Sequence, residues 1–192
     1  MEDRHPTGDK KTAEEEQRVI GYVDESAFYL LPCVGYTWAR KGQTPVLRDG
    51  DRYQHLSVIS VITETGDLEY HLQECSYDGT GVVSFLKQVR EAQQTLLTLI
   101  WDGASIHRGE TVKTFLRTEN QGGIQLERLP AYSPELNADE QVWAYVKEHE
   151  LKNVCCKTLR ELRTHVVAAF ERLKQRPERI RSFFNHPDVG FY

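Results

Sequence analysis

The chain has 192 residues, 39% hydrophobic and 28% charged, with a net charge of −5. That length suits one domain with a core of its own, and the composition is that of an ordinary globular protein. No run of about 18 apolar residues is present to cross a bilayer, and the polar opening Met-Glu-Asp-Arg-His-Pro is no secretory signal. Residues 1–16, ending in Glu14-Glu15-Glu16, read as a polar lead-in. Val19 to Asp24 reads as a first strand, and Thr37 to Leu47 as a second. Leu56 to Thr63 is rich in β-branched residues and strand-like, and Glu64-Thr65-Gly66-Asp67 turns it into Leu68 to Gln73 as a hairpin. After Asp78-Gly79-Thr80-Gly81 the period changes: Val82, Val83, Phe85, Leu86 and Val89 recur at helical spacing. Leu96 to Trp101 reads as a strand buried on both faces. A helix is expected from about Ser105 to Arg117, a short strand over Ile124 to Arg128, and helix from about Pro134 to Gln175, broken near Asn153.

This order is α/β, a mixed five-stranded sheet flanked by helices on both faces. It suits the ribonuclease H-like fold, in which the first and fourth strands lie side by side. Two acids, Asp24 and Asp102, each follow an apolar strand, and Glu140 opens a helical run. Each has a plain structural reading as well. Asp24 could mark a turn, Asp102-Gly103 is a good turn pair, and Asn137-Ala138-Asp139-Glu140 fits a helix-capping pattern. Against these readings, a carboxylate at the mouth of a buried sheet is costly without a partner or a metal. Leu136, Glu140 and Trp143 share one helical face, so Glu140 would be aimed inward with the apolar pair. Three converging carboxylates are the hard oxygen donors that a pair of Mg²⁺ ions needs.

Four segments, in this order, resemble the catalytic domain of DDE transposases of the mariner-like superfamily, in its bacterial insertion-sequence branch. They are Asp24-Glu25-Ser26-Ala27-Phe28, Thr37-Trp38-Ala39-Arg40-Lys41-Gly42-Gln43-Thr44-Pro45, Trp101-Asp102-Gly103-Ala104-Ser105-Ile106-His107, and Leu129-Pro130-Ala131-Tyr132-Ser133-Pro134-Glu135-Leu136-Asn137. The resemblance covers about residues 17–150 and implies Asp24, Asp102 and Glu140 as the catalytic, metal-holding triad. The family usually has Asn-Pro-x-Glu where this chain has Asn137-Ala138-Asp139-Glu140; motif position and helical face select Glu140 over Asp139. Relatives carry helix-turn-helix modules before this domain. Here about 17 polar residues precede the first strand, so residues 17–192 are expected to be the catalytic domain without them. A separate DNA-binding module or an upstream reading-frame product would then supply that role.

The implied chemistry is two-metal phosphoryl transfer with Mg²⁺, or Mn²⁺ in its place. Asp24 would bridge the ions while Asp102 and Glu140 hold one each. The implied partners are double-stranded transposon ends and target DNA, joined at TA and held by a homodimer, with no membrane involved. His107, Arg108 and Lys147 are candidate DNA contacts; His107 reads equally well as a first-turn helical histidine, and Trp143 reads as core. The four cysteines lack Cys-x-x-Cys spacing and read as reduced thiols, which places the protein in the cytoplasm, on the nucleoid when bound to DNA. Residues 147–181 carry ten Lys/Arg against five Asp/Glu, either a phosphate-binding surface or a solvated helix of mixed charge. Two rivals stand beside the transposase: another ribonuclease H-like nuclease, and a non-catalytic remnant that only binds DNA or assembles.

Overall fold

The computed structural model describes residues 17–31, 39–43, 54–130 and 133–185. Five strands form one sheet: β1 (Val19–Tyr29), β2 (His55–Thr63), β3 (Leu68–Gln73), β4 (Leu97–Trp101) and β5 (Ile124–Arg128). Their spatial order is β3-β2-β1-β4-β5. β1 runs antiparallel to β2 and parallel to β4, β2 is antiparallel to β3, and β4 is parallel to β5. The helices are α1 (Gly79–Ala92), α2 (Glu110–Thr118), α3 (Glu140–Tyr145), α4 (Leu159–Lys174) and α5 (Pro177–Phe184).

Side-chain alternation along the strands divides the core in two. Tyr22 and Phe28 of β1 and Leu56, Val58 and Ile62 of β2 pack with Trp143, Phe170 and Ile180 on one face. Val23, Ile59, Val61, Leu97, Leu99 and Trp101 pack with Phe85, Val89 and Phe115 on the other. The expected hairpin forms between β2 and β3, with Gly66 at φ 96° donating its N–H to Thr63 O at 2.9 Å. That backbone conformation strains any residue with a Cβ.

Several boundaries differ from the expectation. β1 does not stop at Asp24; it continues to Tyr29 because β2 pairs with it all the way to Tyr29↔His55. Backbone pairing thus holds the polar Asp24-Glu25-Ser26 in strand conformation. The expected helix over 105–117 is a 3₁₀ turn at Ser105–Arg108 followed by α2, the break falling at Gly109. Pro134–Leu136 is likewise a 3₁₀ turn, and α3 runs on into a π-helical turn at Val146–Glu150, closed by Leu151 N–H to Val146 O at 2.9 Å. The expected break is there, with Asn153 at φ 59°, and a further helix, α5, begins at Pro177. The strand expected over 37–47 falls largely outside the described residues; within 39–43 the chain turns at Gly42, φ 83°.

The basic stretch 147–181 is largely committed within the fold. Arg172 pairs with Glu150, Lys174 with Glu69, and Arg181 donates to Thr65 O. Among the described residues no helix is long and apolar enough to cross a membrane.

Candidate active site

The parallel register between β1 and β4 ends at Tyr22↔Ile100. Two residues further along each strand stand Asp24 and Asp102, brought side by side across a gap of 78 positions in the chain. Strand β4 has stopped by then, so Asp102 lies beyond the last paired residue. Glu140, the first residue of α3, reaches the same place from above that end of the sheet. All three acids line one cleft of about 320 Å³, together with Gly103, Arg128 and Asn137. The carboxyl ends of parallel strands are where open α/β sheets place their ligands.

Asp24 is partly buried on the face covered by α3, and its Oδ2 accepts a hydrogen bond from the Trp143 indole N–H at 2.9 Å. Burial pushes its carboxyl up to about 7; the Trp143 donor opposes this and the nearby charge of Glu140 adds to it. Asn137 fixes the approach of α3: its Nδ2 donates to Val23 O at 3.2 Å, and its Oδ1 accepts from Asp139 N–H at 3.1 Å. That second bond is one an asparagine makes at a helix start, and Glu140 N–H donates to Asn137 O at 3.1 Å. Glu140 is the first residue of α3. Its carboxylate has no hydrogen-bond or ion-pair partner among the described residues.

Asp139, next to Glu140, does not line the cleft. It is fully buried, with Oδ2 accepting from Ser60 Oγ at 2.7 Å and Oδ1 without a partner among the described residues. Burial holds its carboxyl well above the usual range; Ser60 opposes this, and the charges of Asp24 and Glu140 reinforce it. A neutral carboxylic acid is the form such a site tolerates.

His107 is placed differently from a DNA contact. It is buried and stacked on Trp101, ring centroids 4.1 Å apart, with both nitrogens taken. Nε2 lies 2.7 Å from Glu25 Oε1 and Nδ1 lies 2.8 Å from Asp102 Oδ1. No ring nitrogen faces solvent for a phosphate. Burial alone would lower its pKa, but the hydrogen bond and charge of Glu25, with the charge of Asp102, outweigh burial and raise it. Strand alternation explains the link: Asp24 faces α3, so Glu25 must face the opposite side, where His107 sits. Asp102 Oδ1 also accepts from Ala104 N–H at 2.9 Å.

Neither Arg108 nor Lys147 lines the cleft. Arg108 is exposed at the end of its 3₁₀ turn. Lys147 donates to Ser26 Oγ at 2.7 Å and lies over the Phe28 ring at 5.4 Å. Sequence reading passed over Glu25, Arg128 and the donor role of Trp143. Glu25 was legible from alternation about Asp24, and Arg128 from its place at the carboxyl end of a strand parallel to β4.

The donor set suits a hard cation: three carboxylates, one of them poorly solvated and repelled by another, with Arg128 the cationic side chain beside them among the described residues. Among the described residues no three His, Cys, Asp or Glu side chains are drawn together at metal-ligand spacing.

Comparison with known proteins places this geometry. The family model of the DDE superfamily endonucleases matches residues 19–163. A 59-residue stretch is 39% identical to an uncharacterised protein of Sinorhizobium fredii, covering 31% of this chain and 44% of that protein. The structure is similar to that of the Mos1 mariner transposase catalytic domain, at TM-score 0.58 and 13% identity, over 94% of this chain and 86% of that one. It is also similar to Mos1 in its strand transfer complex, at TM-score 0.61 and 18% identity, over 96% of this chain and 58% of that one. The mariner Mos1 paired-end complex with Mg matches at TM-score 0.58 and 16% identity, over 91% of this chain and 58% of that one. The chain thus spans less than two thirds of the Sinorhizobium protein and of Mos1 in those complexes. At such identities the likeness to Mos1 is one of fold, and the fold is ribonuclease H-like. With three quarters of its length matched by the family model, the chain belongs to the DDE superfamily endonucleases.

Proposed function

We propose that this domain cuts DNA strands at transposon ends and joins the freed 3′-ends to target DNA, at TA, using Mg²⁺. The observation that carries the reading is the meeting of Asp24, Asp102 and Glu140 on one cleft at the carboxyl ends of β4 and β5. Asp24, Asp102 and Glu140 would hold the metal. Bound there, a pair of Mg²⁺ ions would lower the pKa of an attacking water and stabilise the charge developing on the leaving 3′-oxygen.

The rest is the work of the chain itself. Trp143 holds Asp24 by its Oδ2 where the residue lines the cleft. Glu25 and His107 fix the orientation of Asp102, as outer-shell partners of metal ligands do. Arg108, exposed at the end of its 3₁₀ turn, is available to a phosphate, whereas Lys147 would have to leave Ser26 Oγ to reach one. No side chain is required as a nucleophile. Mos1 relatives have been solved with Mg and with Mn, and paired on a transposon end. By that likeness the partners here are duplex DNA and a second copy of the chain.

The test is nicking of supercoiled plasmid at millimolar Mg²⁺ or Mn²⁺, beside matched DNA duplex and RNA–DNA hybrid substrates. Metal-dependent DNA cleavage that is lost in Asp102→Asn and in Asp24→Asn is expected. Preference for the hybrid would move the reading to another nuclease of this fold. A second reading, a DNA-binding or assembly module without catalysis, draws on the spacing of the three carboxylates, which line one cleft without standing at metal-ligand distance from one another. Plasmid binding without nicking, and no Mn²⁺ affinity lost in Asp102→Asn, would favour it.

A further inference from the structure

Arg128 is the last residue of β5, paired in register with Trp101, the last residue of β4. The next residue, Leu129, donates its N–H to Trp101 O at 2.9 Å, which keeps the two strand ends together. Arg128 thus stands beside Asp102 through backbone pairing rather than through a flexible loop. It is the only cationic side chain lining the cleft among the described residues.

The guanidinium lies against the backbone of Gly103, where an added Cβ would overlap Nε, Cζ and one terminal nitrogen. With a Cβ there, the flexible end of the arginine would have to shift. Although acids line the same cleft, Arg128 forms no ion pair or hydrogen bond among the described residues, so its donors are uncommitted. An arginine serving only to neutralise carboxylates would be paired with one of them.

We propose that Arg128 holds the DNA strand in the cleft by binding the phosphate next to the scissile one, with Gly103 kept side-chain-free to seat it. This rests on the DNA-cutting reading above. The carboxylates repel a phosphodiester wherever no cation screens them. A planar fork at the cleft wall supplies a fixed positive charge and two parallel donors that match a phosphate's oxygens. Lysine would keep the charge and lose the fork. The contact is with the backbone, so it registers the strand and reads no base.

The experiment measures binding of a fluorescein-labelled duplex of about 30 base pairs by anisotropy from 50 to 200 mM NaCl, with single-turnover cleavage in Mg²⁺ alongside. Wild type, Arg128→Ala, Arg128→Lys and Gly103→Ala are compared. Arg128→Ala should weaken binding roughly 10-fold, and the slope of log K against log salt should fall by about 1. Gly103→Ala, which leaves the arginine in the chain, should slow cleavage as Arg128→Ala does. Arg128→Lys should keep the salt slope yet cleave more slowly than wild type. Arg128 is exposed, so its variants should keep the melting temperature of the wild type. If wild type binds and cuts but Arg128→Ala keeps its affinity and salt slope, this inference falls and the nuclease reading stands. If wild type neither binds nor cuts the duplex, both fall.

Discussion

Replacing Asp24 by Asn should stabilise the metal-free protein while abolishing its cleavage activity. Burial raises the Asp24 carboxyl from 3.8 to about 7. A carboxyl raised by about three pH units costs about 4 kcal/mol to ionise in the fold relative to the unfolded chain. Asp24 is only partly buried, and the variant's amide hydrogens need partners of their own, so about 2 kcal/mol is expected to be recovered. For a chain of this size that is roughly 4–8 °C in melting temperature. The sign with pH follows from the direction of the shift. The folded-state pKa lies above the unfolded one, so the stability from the protonated acid is full below about pH 4 and lost as pH rises through 7. The gain from Asp24→Asn should therefore be largest at pH 8 and vanish near pH 4. Calorimetric melting with chelator at pH 4, 6 and 8 measures it. Excess Mn²⁺ should then raise the melting temperature of wild type and not of the variant. An Asp24→Asn protein no more stable than wild type at pH 8 would refute the reasoning that an uncompensated buried charge sits at this position.

The neighbouring contacts give further expectations. His107→Ala should lower Mn²⁺ affinity about 10- to 100-fold by freeing Asp102, as loss of an outer-shell ligand partner does; titration calorimetry giving an unchanged affinity would show that Asp102 is oriented without it. Trp143→Phe keeps an aromatic ring but removes the donor to Asp24, so the acid limb of the cleavage profile should move up by roughly one pH unit. An unmoved limb would mean the indole does not act on Asp24. Ser60→Ala strips the one donor from the buried Asp139 and should cost about 1–3 kcal/mol, read as a lower urea midpoint at constant slope. Phe170→Ala empties a fully buried site that touches Phe28, Tyr70 and Trp143, and should cost about 3–5 kcal/mol. A loss below 1 kcal/mol there would argue against a tightly packed core on that face.

Period and composition already carry much of this molecule. The β-branched run at Leu56–Thr63, the apolar run before Asp102 and the helical spacing from Val82 to Val89 each state their element, because each buries its own face. They also mark Asp102 and Glu140 as acids out of place, and motif order ties them to Asp24. What the sequence cannot express is pairing between distant segments. Asp24 lies within a strand only because β2 hydrogen-bonds past it, and no local pattern announces that. Whether Glu140 or Asp139 faces the cleft is decided by Asn137 bonding to Val23, 114 positions away. His107 is taken from the surface by Glu25 and Asp102, and Arg128 is set beside Asp102 by strand register. Local periodicity records which face of an element is buried; the partner waiting on that face is set by the topology of the whole sheet.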